Sequence, residues 1–270
     1  MADKRYFCMI HEGRCGSTVL ASLLDQHPAI VHFNEILTKG AWISREFVNS
    51  ELEARRDASE IRLPDLNKFI KQVAETRRSI VKPDQLYVGF EIKLNQLSSM
   101  NLDCDLPSLV REVSSGSPDA RFMFLTRRNI LRRHVSILRC QYKNVTHADQ
   151  LKGVNFDKVR LDVDDKLRDW SYEFTRFQAS LADLLEISET RRLAVRDFAL
   201  ANGHLYLEYE DFEHRPMTAA EQTFDFLDVP RIEVESPLLK TGDFPLSDLI
   251  ENYDEVRESL VNTRWMTMLD

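Results

Sequence analysis

The stretch IHEGRCGSTVLASLLDQHP, Ile10 to Pro28, constrains this chain more than any other. A short apolar run with aromatic and branched residues, RYFCMI, precedes it and reads as a buried strand ended at Gly13. Ser17 then opens a helix whose apolar stripe is Val19, Leu20, Leu23 and Leu24, closed by Gln26-His27-Pro28. A strand feeding a glycine-bearing loop and a helix is a layout suited to an anion. The first amides of a helix have no partner inside it, and the helix dipole adds positive potential there. Gly13 and Gly16 let the loop approach a ligand closely, Arg14 supplies a planar fork for two oxygens, and Ser17 and Thr18 add hydroxyls that can also cap the helix. The loop lacks the lysine that precedes Ser/Thr in a magnesium-nucleotide loop, because Gly16 is followed directly by Ser17.

The rest of the chain continues the strand and helix rhythm. IVHFNE, LYVGFEIKL and RFMFLT read as strands, and SLVREVSSG and RRNILRRHVSILRCQ as helices; GHLYLEYEDF returns as a strand and TAAEQTFDFLDV as a helix. Charged, glycine-poor sequence from Glu51 to Arg78 is expected to form helices. Asp164 to Asn202 is expected to form one or two more, with Trp170, Phe174, Phe177, Leu181, Leu184 and Leu185 in a core. This alternation predicts a three-layer α/β fold, a mostly parallel sheet flanked by helices, with ligands beyond the carboxyl ends of the strands. No repeat or long Pro/Gly linker interrupts residues 1–270, so a single domain is expected.

Composition narrows the function classes. A net charge of −8 offers no general attraction to nucleic acid or an anionic membrane, so any anion site has to be local. No apolar run is long enough to cross a bilayer or act as a secretion signal, and the expected location is the cytoplasm. Cys8, Cys15, Cys104 and Cys140 form no C-x-x-C pair, which fits a reducing compartment and gives no support to metal binding.

A second basic feature lies at the end of RFMFLT, where Arg127 and Arg128 stand where a magnesium-binding carboxylate would be expected in a kinase. Arg128 and Ser136 are eight residues apart, a little over two helical turns, so an arginine at a strand end and a hydroxyl on the next helix can grip a phosphate together. The plain alternative is a solvated basic face made of Arg127, Arg128, Arg132, Arg133 and Arg139.

On these residues the chain resembles a known family. GRCGSTVLASLLDQHP is similar to the 5′-phosphosulfate loop of sulfotransferases that use 3′-phosphoadenylyl sulfate (PAPS), and FLTRRNILRRHVS to their 3′-phosphate motif. Weaker similarity runs through YLEYEDF and PLSDLIENYDEV. The chain looks closest to the carbohydrate and bacterial-type branches, whose loop carries arginine where steroid and phenol enzymes carry lysine. The resemblance implies an α/β fold related to the P-loop nucleotide kinases. It implies PAPS as donor, adenosine 3′,5′-bisphosphate (PAP) as product, and a hydroxyl acceptor. An acidic protein suits a neutral carbohydrate, glycolipid or small alcohol better than a sulfated polyanion; a homo-oligomer is compatible with this reading.

Carried over by position, Gly13, Arg14, Cys15, Gly16, Ser17 and Thr18 would surround the 5′-phosphosulfate, and Arg128 and Ser136 would bind the 3′-phosphate. Cys15 stands where many members have serine. A glutamate shortly after the loop helix is the base in these branches, and Glu35 matches it; His32 is the rival, as an imidazole titrating near neutrality. His11 is a weaker candidate for orienting a phosphate. Family members often place a lysine on the middle strand near the leaving group. Here Glu91 and Lys93 lie two apart on one strand face, so Lys93 either fills that role or pairs with Glu91. Arg14 and Lys93 would act with Glu35 in a scheme that requires no metal. Two other classes remain at this point: an ATP and magnesium kinase relative, and a non-catalytic nucleotide-binding protein.

Overall fold

A computed structural model describes residues 4–36, 67, 70, 84–94, 97, 104–143, 158–163, 180–236 and 244–269. They form two compact units, residues 1–126 with 195–236 and residues 127–194 with 237–270.

The first unit is built on five parallel strands: β1 (Arg5–His11), β2 (Ile30–Glu35), β3 (Tyr87–Lys93), β4 (Arg121–Thr126) and β5 (Leu205–Glu208). Their spatial order is β2-β3-β1-β4-β5. The chain leaves β1 toward one edge and returns to build the other edge, so the end of β1 is the switch point where α/β sheets open a crevice. Both faces of β1 are covered, which is why its sequence is continuously apolar. Along it Phe7 and Met9 join one core and Cys8 and Ile10 the other.

On the first of these faces pack α1 (Ser17–Leu24), α5 (Tyr209–Phe212) and α6 (Pro216–Leu227), through Leu20, Leu23, Phe212, Phe224 and Leu227. On the other lie α2 (Leu106–Gly116), through Leu109 and Val113, and the end of α4 (Leu181–Ala201), through Val195 and Ala199. The expected three layers with a parallel sheet are thus present. α2 starts where Asp105 accepts a hydrogen bond from the Ser108 amide at 2.8 Å with Pro107 in its first turn. The segment GHLYLEYEDF gives a shorter strand than its pattern suggests: extended backbone stops at Glu208 and Tyr209–Phe212 turn into a helix.

Gly89 in β3 leaves room for its neighbours. A Cβ there would lie 2.1 Å from the Phe7 ring and 2.6 Å from the His32 ring, neither of which has a flexible end to move away. Gly89→Ala is expected to lower stability by about 1–3 kcal/mol through overpacking, read as a lower midpoint in denaturant unfolding with an unchanged slope.

In the second unit α3 (Ile130–Lys143) follows β4 after a short link. Asn129 caps it by accepting from the Arg132 amide at 2.9 Å, and its own side-chain amide donates to the Met268 carbonyl at 3.0 Å. Ile130, Leu131 and Val135 pack with Leu161, Leu181, Leu185, Leu246, Ile250, Val256, Leu260 and Trp265. α7 (Leu246–Leu249), α8 (Tyr253–Leu260) and a 3₁₀ turn (Arg264–Met268) complete it. Among the described residues no helix is long and apolar enough to cross a membrane. Trp170, Phe174, Phe177 and nearly all of residues 51–78 lie outside the described residues.

Candidate active site

β1 ends at His11, and the chain then runs through Glu12 to Gly16 before α1 begins. Three of these loop residues take left-handed backbone: Gly13 at φ 81°, Arg14 at φ 55° and Gly16 at φ 85°. For Arg14 that conformation costs about 1–2 kcal/mol, a strain of the kind found where a loop is shaped for a ligand. Gly16 is needed twice, for its φ and for space, since a Cβ would stand 2.8 Å from the Tyr209 ring. Gly16, and not the Ser17 or Thr18 side chain, occupies the cap position of α1, with no side-chain cap bond. The first turn of α1 carries no acidic residue, so nothing in it opposes an anion. Arg14 is half-buried and Thr18 exposed, while Cys15 and Ser17 are buried.

The inward side of the loop is held from below. His11 Nδ1 accepts the Gly13 amide at 3.1 Å and lies 3.6 Å from Cys15 Sγ. What Gly13 contributes is therefore a turn whose N–H points into the protein, and what Cys15 offers an anion is backbone. The other ring nitrogen, His11 Nε2, is 3.0 Å from Glu91 Oε2, with both side chains buried. Burial works against charge on each. It pushes the Glu91 pKa up, but the hydrogen bond and charge of His11, then His32 and the Ser17 hydroxyl, bring it down to about 2. Burial pushes His11 down, and Cys15 and Glu91 together lift it to about 10. The Gly13 amide opposes a proton on Nδ1, because two hydrogens cannot share one lone pair. The arrangement that satisfies every contact has the ring proton on Nε2, facing an ionised Glu91.

His32 stands on the other side of Glu91, its Nδ1 3.8 Å from Glu91 Oε1. That nitrogen also accepts the Asn34 amide at 3.2 Å. Burial lowers the His32 pKa, with Glu91 opposing. The register of β2 against β3 shifts between His32 and Glu35, and Asn34 is left-handed at φ 55°. After this irregularity Glu35 pairs with Lys93 in a partly exposed ion pair. Lys93 thus pairs with Glu35, while Glu91 belongs to the histidines. His11, Glu35 and Glu91 bring one ligand atom each within 4.8 Å of one another, a grouping able to hold a cation. Lys93 already supplies positive charge to Glu35 there, so a metal ion would have to displace it.

In the second unit Arg128 is exposed and precedes α3, which starts at Ile130, so the helical spacing that joins Arg132 to Ser136 does not extend to it; Ser136 is half-buried on the helix. Arg133 departs from the solvated basic face: it is among the largest fully buried side chains. Its charge, after burial itself, holds the neighbouring His134 pKa well below the ordinary value, and His134 Nε2 lies 3.2 Å from Ser188 Oγ.

The histidine and glutamate cluster is the feature that sequence reading missed as a unit. The signal available was strand parity: odd positions on β1 and β3 and even ones on β2 share the face that carries α1.

A family model described as the sulfotransferase family matches residues 12–233. Among solved structures, the chain is similar to a sulfotransferase from Alicyclobacillus acidocaldarius, at 14% identity and a TM-score of 0.47 over 88% of this chain and 86% of that one. No curated protein sequence gives a significant match.

Proposed function

Because the chain belongs to the sulfotransferase family, we propose that it transfers the sulfuryl group of PAPS to a hydroxyl of a carbohydrate, glycolipid or other small acceptor. The observation that carries this reading is the pairing of Glu35 with Lys93 at the strand ends from which the arginine-bearing anion loop departs. The donor set suits a phosphosulfate: a planar guanidinium, helix-end amides and an ammonium, all positive and none requiring a bridging metal.

The bound donor supplies a sulfuryl group activated by its phosphate leaving group. Arg14 and the amides of Gly16, Ser17 and Thr18 hold the negative charge at that phosphate and stabilise its increase as the bond to sulfur breaks. Glu35 takes the acceptor hydroxyl proton on a carboxylate oxygen, and Lys93 orients that carboxylate. Arg128 and Ser136, by their match to the family motif, bind the 3′-phosphate.

Calorimetry in EDTA separates this reading from its rivals. PAP is expected to bind at least about tenfold more tightly than ADP or ATP, and Arg128→Ala to remove that preference, as loss of a charge-assisted contact of about 1.5–3 kcal/mol requires. Preference for ATP with a magnesium requirement would move the reading to a kinase.

A further inference from the structure

Two histidines at neighbouring strand ends do the same thing. His11, the last residue of β1, accepts the amide of Gly13 two residues on, and Gly13 is left-handed. His32, near the end of β2, accepts the amide of Asn34 two residues on, and Asn34 is left-handed. In each case a buried imidazole fixes a turn of the main chain. The first turn shapes the anion loop, and the second sets the direction in which Glu35 leaves β2. Glu91 on β3, between β1 and β2 in the sheet, stands against both rings, 3.0 Å from His11 and 3.8 Å from His32. Its two oxygens reach different histidines. The Ser17 hydroxyl at the start of α1 adds a further bond to the same carboxylate, so Glu91 meets the loop at both of its ends.

We infer that Glu91 is a positioning residue that ties the donor loop to the base-bearing end of β2, with His11 as its arm to the loop and His32 as its arm to Glu35. This rests on the reading of the loop as donor site and of Glu35 as base. A carboxylate that merely filled a hole in the core would need no arrangement with an imidazole on each side and a main-chain amide beyond each imidazole. Burying a carboxylate is expensive without such partners, and half-satisfied buried networks are worse than apolar packing. The network therefore acts as a unit: loss of the central carboxylate loosens both turns, and loss of one arm loosens one.

The arms separate the two effects. His11→Phe keeps a ring but loses both nitrogens; it is expected to weaken PAP binding at least tenfold with kcat within about threefold of wild type at saturating donor. His11→Asn, whose Oδ1 can accept the Gly13 amide in place of Nδ1, is expected to recover most of that binding. His32→Phe is expected to lower kcat at least tenfold and leave PAP affinity within about twofold. Glu91→Gln is expected to do both.

Amide hydrogen exchange on the ligand-free proteins gives a readout independent of the reaction. Exchange should quicken at residues 12–18 in His11→Phe, at 33–36 in His32→Phe, and at both in Glu91→Gln, with β4 and α6 unchanged. Uniformly faster exchange across the sheet, or equal effects of the two histidine variants on affinity and kcat, would reduce the cluster to ordinary core and overturn the inference. If the wild type binds no PAP, the functional reading fails, while the exchange pattern still decides whether Glu91 joins the two turns.

Discussion

Glu35→Gln is expected to lower turnover by about 10²–10⁴-fold, the range that a positioned general base contributes, while PAP affinity stays within about twofold. Glutamine keeps the shape of the side chain and loses the ability to take a proton. The anion loop is held by His11 and not by Glu35, so donor binding has no reason to change. Lys93 loses its charged partner, yet remains on the same strand face. His32 is the competing base, and its surroundings argue against it. It is buried, burial lowers its pKa, and its Nδ1 lone pair is already taken by the Asn34 amide. In the neutral ring the remaining nitrogen carries the hydrogen, so no lone pair is left for an acceptor proton. Single-turnover sulfation assays beside calorimetry check this. Unimpaired transfer by the glutamine variant would remove Glu35 from the chemistry.

What could be read in the sequence and what could not follow from the range of the interactions involved. β1, α1, β3 and β4 were legible because their determinants are local: Phe7 to Ile10 are apolar on both faces of a covered strand, and Leu20, Leu23 and Leu24 repeat at helical spacing. The anion loop was legible for the same reason, since its glycines and arginine are consecutive. Glu91 was ambiguous because its partner, His11, lies on another strand, and the nearest candidate in sequence was Lys93. Strand parity places Glu91 and Lys93 on one face; it cannot say that the two split, one toward the histidines and the other toward Glu35. Arg133 misled because a run of arginines reads as solvated, whereas its position on α3 turns it inward. The helix start was misassigned to a Ser17 or Thr18 cap, because the left-handed Gly16 requirement depends on Tyr209, far away in sequence.

Arg14 is where the loop's shape and its proposed task conflict, and substitution there should divide stability from binding. Arg14→Ala is expected to weaken PAP about 10–100-fold, since a guanidinium fork on phosphate oxygens is worth about 1.5–3 kcal/mol. Arg14→Lys should recover only part, because an ammonium is a point charge without the fork. Alanine, like arginine, is strained at φ 55°, whereas glycine adopts that angle without steric cost. Arg14→Gly is therefore expected to be more stable than Arg14→Ala by up to about 1 kcal/mol, after its larger unfolded-state entropy offsets part of the relief. Yet it should bind PAP no better than the alanine variant. Such a split would assign the lost affinity to the guanidinium itself and not to a collapsed loop. If glycine restored binding along with stability, the backbone would be the donor site's essential part, and Arg14 would lose its place as the residue that stabilises the leaving phosphate.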